Sequence, residues 1–343
     1  MVHVLSSDAE NPSDRLGCHG SHVIDQTSSL SMLAGQTVLV TGAAGQVGTE
    51  LMAVLRRVGA RSVGLGSRPS VDIAHAVDIT DAVTVRRIVR DARPDVVIHG
   101  AAWTDVDGCE RDPERAERVN GQGAANVAAA AAEVGAYCLA VGTDFVFAGD
   151  GGAPYAEGAP ANPISHYGSS KLSGERAVLA ASDDFGVART AWVWGGAGKH
   201  FPRTVLTVLR DRGGMTVVTD ERGNPTHAHD LAVALAELAA RRGAGIFHLT
   251  NEQPTSRFDF ARSVAGLAGF DPRLVRPVTS AEFLAKYPLP ARRPGDSALA
   301  NVRAAALGVR LRPWPETVAA FVPGLATELG IGAVDPDVED ATQ

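Results

Sequence analysis

Little in this 343-residue chain points to a membrane, a nucleic acid or an oxidising compartment. Its three cysteines, Cys18, Cys109 and Cys138, show no framework spacing. That excludes a disulfide-stapled scaffold and implies a reduced, cytoplasmic setting. Basic runs are missing: 32 Lys and Arg against 39 Asp and Glu leave a net charge of −7, so nucleic acid is not an expected partner. The longest apolar runs, around 124–132 and 231–240, are too short and interrupted to cross a bilayer, so no membrane is expected either. Residues 1–34 lack both sustained periodicity and the apolar core of a signal peptide, and a disordered tail is expected there. Cys18, His19 and His22 lie in that tail, where three donors on an unfolded segment make a poor metal site. What remains is an ordinary globular composition, 45% hydrophobic and 21% charged. A chain of this length buries about 75% of its unfolded surface, enough for one large domain or two coupled ones.

The first chemistry-bearing stretch is Gln36-Thr37-Val38-Leu39-Val40, a β-branched run that ends in Thr41-Gly42-Ala43-Ala44-Gly45-Gln46-Val47-Gly48. A helical stripe of Leu51, Val54, Leu55 and Val58 follows. Strand, glycine loop and helix in that order form the first unit of a dinucleotide fold. Gly42 permits the turn, Gly45 lets backbone N–H groups approach a pyrophosphate, and Gly48 allows close helix–strand packing. Gln46 and Val47 open the helix, whose N-terminus favours phosphate. The second strand, 62–66, ends at Ser67-Arg68. An Asp or Glu here would suit a free ribose 2′-hydroxyl, whereas a hydroxyl and a guanidinium suit a 2′-phosphate. NADPH is therefore the expected cofactor, with NADH accepted weakly. Asp78, with Ile79, ends a third strand and is placed to accept from an adenine amino group. After a buried strand at 95–99, Ala101 and Ala102 stand in a small-residue loop where backbone can pass close to the cofactor. Asn120, in the next helix, reads equally as a loop or ribose contact or as a plain cap.

Strand 137–141 ends in Gly142-Thr143-Asp144-Phe145, so Thr143 stands where an open parallel sheet carries its catalytic groups. Asn162-Pro163-Ile164-Ser165 then precedes Tyr167-Gly168-Ser169-Ser170-Lys171, a helix start. Tyr167 and Lys171 lie four apart on one helical face. An ammonium there is expected to lower the pKa of the phenol, which could then protonate an alkoxide near neutral pH. Together these segments read as a hydride-transfer site.

With these residues in view, the chain resembles an extended short-chain dehydrogenase/reductase and, more narrowly, the dTDP-4-dehydrorhamnose reductase family. The match runs from Gly42 to Arg293. It is carried by 42–48, 101–107, 143–147, 154–157, 167–175, 189–195, 220–226 and 293–297. The resemblance implies an α/β fold, a Rossmann-type doubly wound parallel sheet with a smaller mixed α/β substrate lobe. It places an NAD(P)-binding domain at 35–190, receiving about 224–250. A substrate-binding lobe follows at 191–223 and 251–330, and a solvated tail at 331–343. It implies reduction of a 4-keto-6-deoxyhexose on a dTDP carrier by a monomer or homodimer. Thr143, Tyr167 and Lys171 match the catalytic trio. Thr104, Val106, Asp144, Phe145 and Trp192 match positions about the sugar, and Arg293 a basic position near the substrate diphosphate.

Three residues depart from the family pattern. Phe145 replaces a common Tyr, Ala191 a Ser and Arg222 a Gln. The first two remove hydroxyls near the expected pocket, which favours a secondary-metabolite enzyme acting on a deoxygenated or amino-substituted 4-ketosugar. The alternatives are the rhamnose-pathway reductase, a nucleotide-sugar epimerase or dehydratase of the same fold retaining NAD, and a non-catalytic NADP-binding regulatory subunit. His227 and His229 raise the idea of a metal, but Asp230 reads as a helix cap and no metal is expected.

Overall fold

A computed structural model describes residues 29–67, 73–151, 154–196 and 198–332. The tail cysteine and histidines, Cys18, His19 and His22, lie outside these residues, as do Arg68 and positions 333–343. At its end, the expected tail gives way to structure. Ser31–Leu33 forms a short 3-10 turn, and Leu33 is fully buried against the core.

Seven strands form one parallel sheet: β1 (Thr37–Thr41), β2 (Arg61–Gly66), β3 (His75–Ala76), β4 (Val96–His99), β5 (Tyr137–Thr143), β6 (Gly186–Thr190) and β7 (Gly245–His248). Their spatial order is β7-β6-β5-β4-β1-β2-β3, so the winding reverses between β1 and β4. Alternation along the strands divides the core. Val38 and Val40 face one apolar layer, and Leu39 and Val97 the other. The helices that cover the sheet are α1 (Gln46–Arg57), α2 (Ala82–Ala92), α3 (Gly123–Glu133), α4 (His166–Ala181) and, past α5 (Phe201–Arg212), α6 (Ala228–Ala240). The first layer packs α1 and α6 on the sheet, and the second packs α2, α3 and α4. Asp81 caps α2 by accepting from Val83 and Thr84 N–H groups, both at 3.1 Å. Crossovers that cover both faces are what a parallel sheet requires.

A third apolar cluster lies apart from the sheet. It is built from α5, α7 (Arg257–Leu267) and α8 (Trp314–Glu328) around Trp194, Leu206, Phe260 and Trp314. Met215–Val218 and Val275–Val278 pair in parallel beside it. Asp230 is not the cap of α6. His227 occupies that place without a side-chain bond, and Asp230 sits in the first turn. Its carboxylate accepts from Asn251 at 2.8 Å, Arg312 at 3.0 Å and Thr317 at 3.0 Å, tying α6 to α8. Among the described residues no helix is long and apolar enough to cross a membrane.

Candidate active site

A cleft of about 1190 Å³ opens at the carboxyl ends of β1, β4 and β5. That is the place ligands take in such sheets. Its volume exceeds the roughly 300–1,000 Å³ of a one-ligand pocket, leaving room for a dinucleotide and a second molecule.

One half is built for close backbone approach. Gly42 has φ +71°, and a Cβ there would lie 2.8 Å from the Ala101 nitrogen. A Cβ on Gly48 would overlap the Gly42 carbonyl oxygen and come within 2.7 Å of the Ala43 Cα. Helix α1 has no side-chain cap, and its first intrahelical bond runs from the Thr49 N–H to the Gly45 carbonyl at 2.9 Å. The N–H groups of Gln46, Val47 and Gly48 thus precede the hydrogen-bonded ladder, an arrangement suited to phosphate. Gly42, Gly45, Gln46, Val47, Ser67, Asp78, Ile79, Ala101 and Ala102 all line the cleft. Asp78 Oδ1 accepts from the Thr80 N–H at 2.9 Å. These residues fit a dinucleotide. Arg68, expected to read the 2′-phosphate, falls outside the described residues.

The loop after β4 is held by Asn120, which settles its open reading as a loop contact. Its Oδ1 accepts from the Trp103 N–H at 2.7 Å, and its Nδ2 donates to the Trp103 carbonyl at 3.1 Å and to Ser170 Oγ at 3.0 Å. Asn120 lies in a π-helical turn, Glu117–Gln122, a distortion frequent at functional sites. Thr41 Oγ1 accepts the Ala101 N–H at 3.2 Å and shares a 2.7 Å hydrogen bond with buried His99. Burial drives that imidazole down to about 3, so it stays neutral.

Thr143, Tyr167 and Lys171 meet on the cleft wall. Ser165 caps α4 by accepting the Gly168 N–H at 3.2 Å, which sets the first turn that carries Tyr167. Gly168 is required there, since a Cβ would overlap the Phe145 carbonyl oxygen. Thr143 Oγ1 accepts the Phe145 N–H at 3.2 Å and donates to Asp144 Oδ1 at 3.2 Å. Lys171 Nζ donates to the Val141 carbonyl at 2.7 Å.

The expected fall in the Tyr167 pKa is not found. Burial pushes the phenol up, outweighing an opposing hydrogen bond with Thr143, and Asp144 adds to the rise. Burial likewise lowers Lys171, with Glu175 opposing. Asp144 is raised to about 6 by burial, against hydrogen bonds from Ser297 and Thr143.

Beyond the trio, Thr104, Val106, Asp144, Phe145 and Trp192 line the remaining wall. The Phe145 ring meets that of Tyr167 edge-on at 5.4 Å. Ala191 is buried in an apolar cluster with Val146, Phe147, Leu172 and Leu299. Trp192 adopts φ 46°, a left-handed conformation costly for a bulky side chain and commonest at functional sites. A Cβ on Gly223 would press on its ring at 2.7 Å.

Arg293 is not brought to the wall. Its guanidinium pairs bidentately with Asp107, at 2.8 and 2.6 Å, and also donates to the Ala291 carbonyl at 2.6 Å. That pairing holds the Asp107 carboxyl below its usual value. Three arginines unforeseen from sequence line the cleft: Arg115, Arg118 and, beside Trp192, Arg257. Arg257 stacks 3.9 Å over Trp192 and donates through Nε to Glu221 at 3.3 Å. Residue 257 merely follows a helix cap in sequence, and no spacing ties it to Trp192. Among the described residues no three His, Cys, Asp or Glu side chains gather as a metal site.

Comparison with known proteins agrees with this geometry. The RmlD substrate binding domain family matches residues 36–326. A dTDP-4-dehydrorhamnose reductase of Streptomyces griseus is 42% identical over 299 residues, covering 85% of this chain and 95% of that protein. A dTDP-4-keto-6-deoxy-D-glucose reductase of Streptomyces niveus is 39% identical, covering 71% of this chain and 82% of its own. Among solved structures, the dTDP-4-dehydrorhamnose reductase of Bacillus anthracis in complex with NADP superposes with a TM-score of 0.77 at 30% identity, covering 84% of this chain and 99% of that one.

Proposed function

The chain belongs to the RmlD substrate binding domain family, and from that premise we propose that it is an NADPH-dependent 4-ketoreductase of a dTDP-4-keto-6-deoxyhexose, serving deoxysugar biosynthesis for a secondary metabolite. The observation that carries this reading is the meeting of Thr143, Tyr167 and Lys171 on one wall of a cleft that continues into a glycine cradle. The NADPH-bearing domain is taken as 35–190 with 224–250, and the substrate lobe as 191–223 with 251–330.

In this reading NADPH supplies the hydride. Gly42, Gly45 and the first turn of α1 bind its pyrophosphate, while Ser67 and Arg68 bind its 2′-phosphate. Thr143 turns its hydroxyl from Asp144 to the ketone oxygen. Tyr167 then gives its phenolic proton to the same oxygen as negative charge grows there. Donors fixed where charge develops act on the barrier itself. A raised phenol pKa keeps Tyr167 in the proton-bearing form this step needs. Lys171 contributes the cation that steadies the departing proton's site and holds the cofactor ribose. Trp192 and Phe145 wall the sugar, Thr104 and Val106 line its far side, and Arg257 extends that wall.

Phe145 and Ala191 present no hydroxyl to the sugar. A site built to bond a substrate hydroxyl rejects analogues that lack it, and a site without such groups gains little from the extra oxygen. A 2-deoxy or amino-substituted sugar is therefore the expected substrate. The test is NADPH oxidation by the purified chain, one equivalent per sugar reduced, with a modified dTDP-4-keto-6-deoxyhexose and with dTDP-4-dehydrorhamnose. Higher kcat/KM for the modified sugar is expected. Preference for dTDP-4-dehydrorhamnose would assign the chain to rhamnose synthesis.

A further inference from the structure

Beneath the trio lies a buried ion pair that the proposed mechanism leaves unused. Glu175 follows Lys171 by four residues on α4, one turn along the same face. Its Oε2 accepts from Arg189 Nε at 3.0 Å and Nη2 at 2.8 Å, and the two side chains are only 4% and 3% exposed. The pair is half satisfied: Glu175 Oε1 and Arg189 Nη1 have no hydrogen-bond partner. Oε1 instead lies against Gly142, where a Cβ would stand 2.5 Å from it. Gly142 separates Val141, whose carbonyl receives Lys171, from Thr143.

An ion pair this dry gives little net stability over an apolar pair of equal volume. Its placement has a consequence for charge. Tyr167, Lys171 and Glu175 come from α4, Arg189 from β6, His99 from β4, His248 from β7, and Asp144 follows β5. Burial leaves both histidines neutral, each at about 3. Asp144 is committed to Ser297 at 2.5 Å and Thr143 at 3.2 Å. Glu110 and Glu117 also meet α4, at the His166 N–H and Ser173 Oγ, but on its exposed side. Glu175 is the buried acid of α4, one turn from a lysine whose pKa burial lowers and Glu175 raises.

We propose that Glu175, held by Arg189, is a positioning residue that keeps the Lys171 ammonium charged and registered on β5. The inference rests on the reductase reading of Lys171. It is testable apart from turnover, because the chain has only three lysines, Lys171, Lys199 and Lys286. NMR of the full chain carrying [ε-13C]lysine can follow the Lys171 titration directly.

In Glu175→Gln the Lys171 midpoint should fall by about one pH unit or more, and the alkaline limb of kcat should move down with it. In Glu175→Gln/Arg189→Gln, which also removes the stranded cation, the midpoint should lie between those of the single variant and the wild type. A Lys171 midpoint equal to wild type in a folded variant, single or double, overturns the proposal. If the single variant does not fold, the double variant decides alone. A wild-type chain that never oxidises NADPH with a sugar nucleotide sinks the reductase reading, while the lysine midpoint still decides the role of Glu175.

Discussion

Tyr167 is held in its acid form by the surroundings that the cleft requires. A phenol raised by burial loses its proton only above the usual value near 10. The rate should therefore show no phenol-linked loss on the alkaline side below that value. Tyr167→Phe keeps the edge contact with Phe145 and removes the proton. Its kcat should drop at least about 10²-fold, with NADPH binding unchanged by fluorescence titration. Near-normal turnover would remove Tyr167 from the acid role. Asp144 titrates in the opposite sense to a salt-bridged carboxylate. Its folded pKa of about 6 exceeds the usual carboxylate value of 3.8, so its contribution is fully present below 3.8 and is lost as pH rises through 6. That difference amounts to about 3 kcal/mol. Asp144→Asn should gain on wild type by about that amount between pH 4 and pH 7.5 in urea unfolding. A gap independent of pH would show that the carboxyl is not raised.

At the scale of elements, legibility followed periodicity and the residues that interrupt it. The glycine loop, the strand ending at Thr143 and the capped start of α4 were readable because local rules fix them: positive φ at Gly42, the Ser165 cap and the four-residue repeat. Arg257 and Arg293 were not, because their partners lie 36 and 186 residues away. Sequence spacing cannot report that Asp107 has already claimed the Arg293 fork. The Tyr167 pKa escapes sequence for a similar reason. Spacing puts Lys171 on the right face but does not reveal burial or the Val141 carbonyl. The loop offers the cleanest test at this scale. In Gly48→Ala the new methyl meets backbone atoms of Gly42 and Ala43, which cannot swing aside. Such overpacking costs about 1–3 kcal/mol, so NADPH affinity should fall about 5- to 150-fold. Gly158→Ala, with nothing within 4 Å, is the matched control and should be silent. Equal effects in the two variants would show that the loop is not a cradle.

Across the whole molecule, the cleft takes its form from two cores that the chain keeps separate: the layered sheet, and the aromatic cluster of Trp194, Phe260 and Trp314. Trp192 and Arg257 face the same opening as the glycine cradle, so a bound cofactor and a bound sugar would share one enclosure. Net charge sharpens the cofactor question. A chain at −7 disfavours a polyanion at long range, so selection of NADPH over NADH must come from local cations. Arg68, next to the cleft-lining Ser67, is the proposed reader of the 2′-phosphate. A lost charge-assisted contact is worth roughly 1.5–3 kcal/mol. Arg68→Ala should thus raise the Kd for NADPH about 10- to 150-fold and leave that for NADH nearly unchanged. Added salt should weaken wild-type NADPH binding more than that of the variant, because screening acts on the contact the variant lacks. Parallel loss for both cofactors would mean that Arg68 supports the loop rather than reading phosphate, and the preference for NADPH would then have to come from elsewhere.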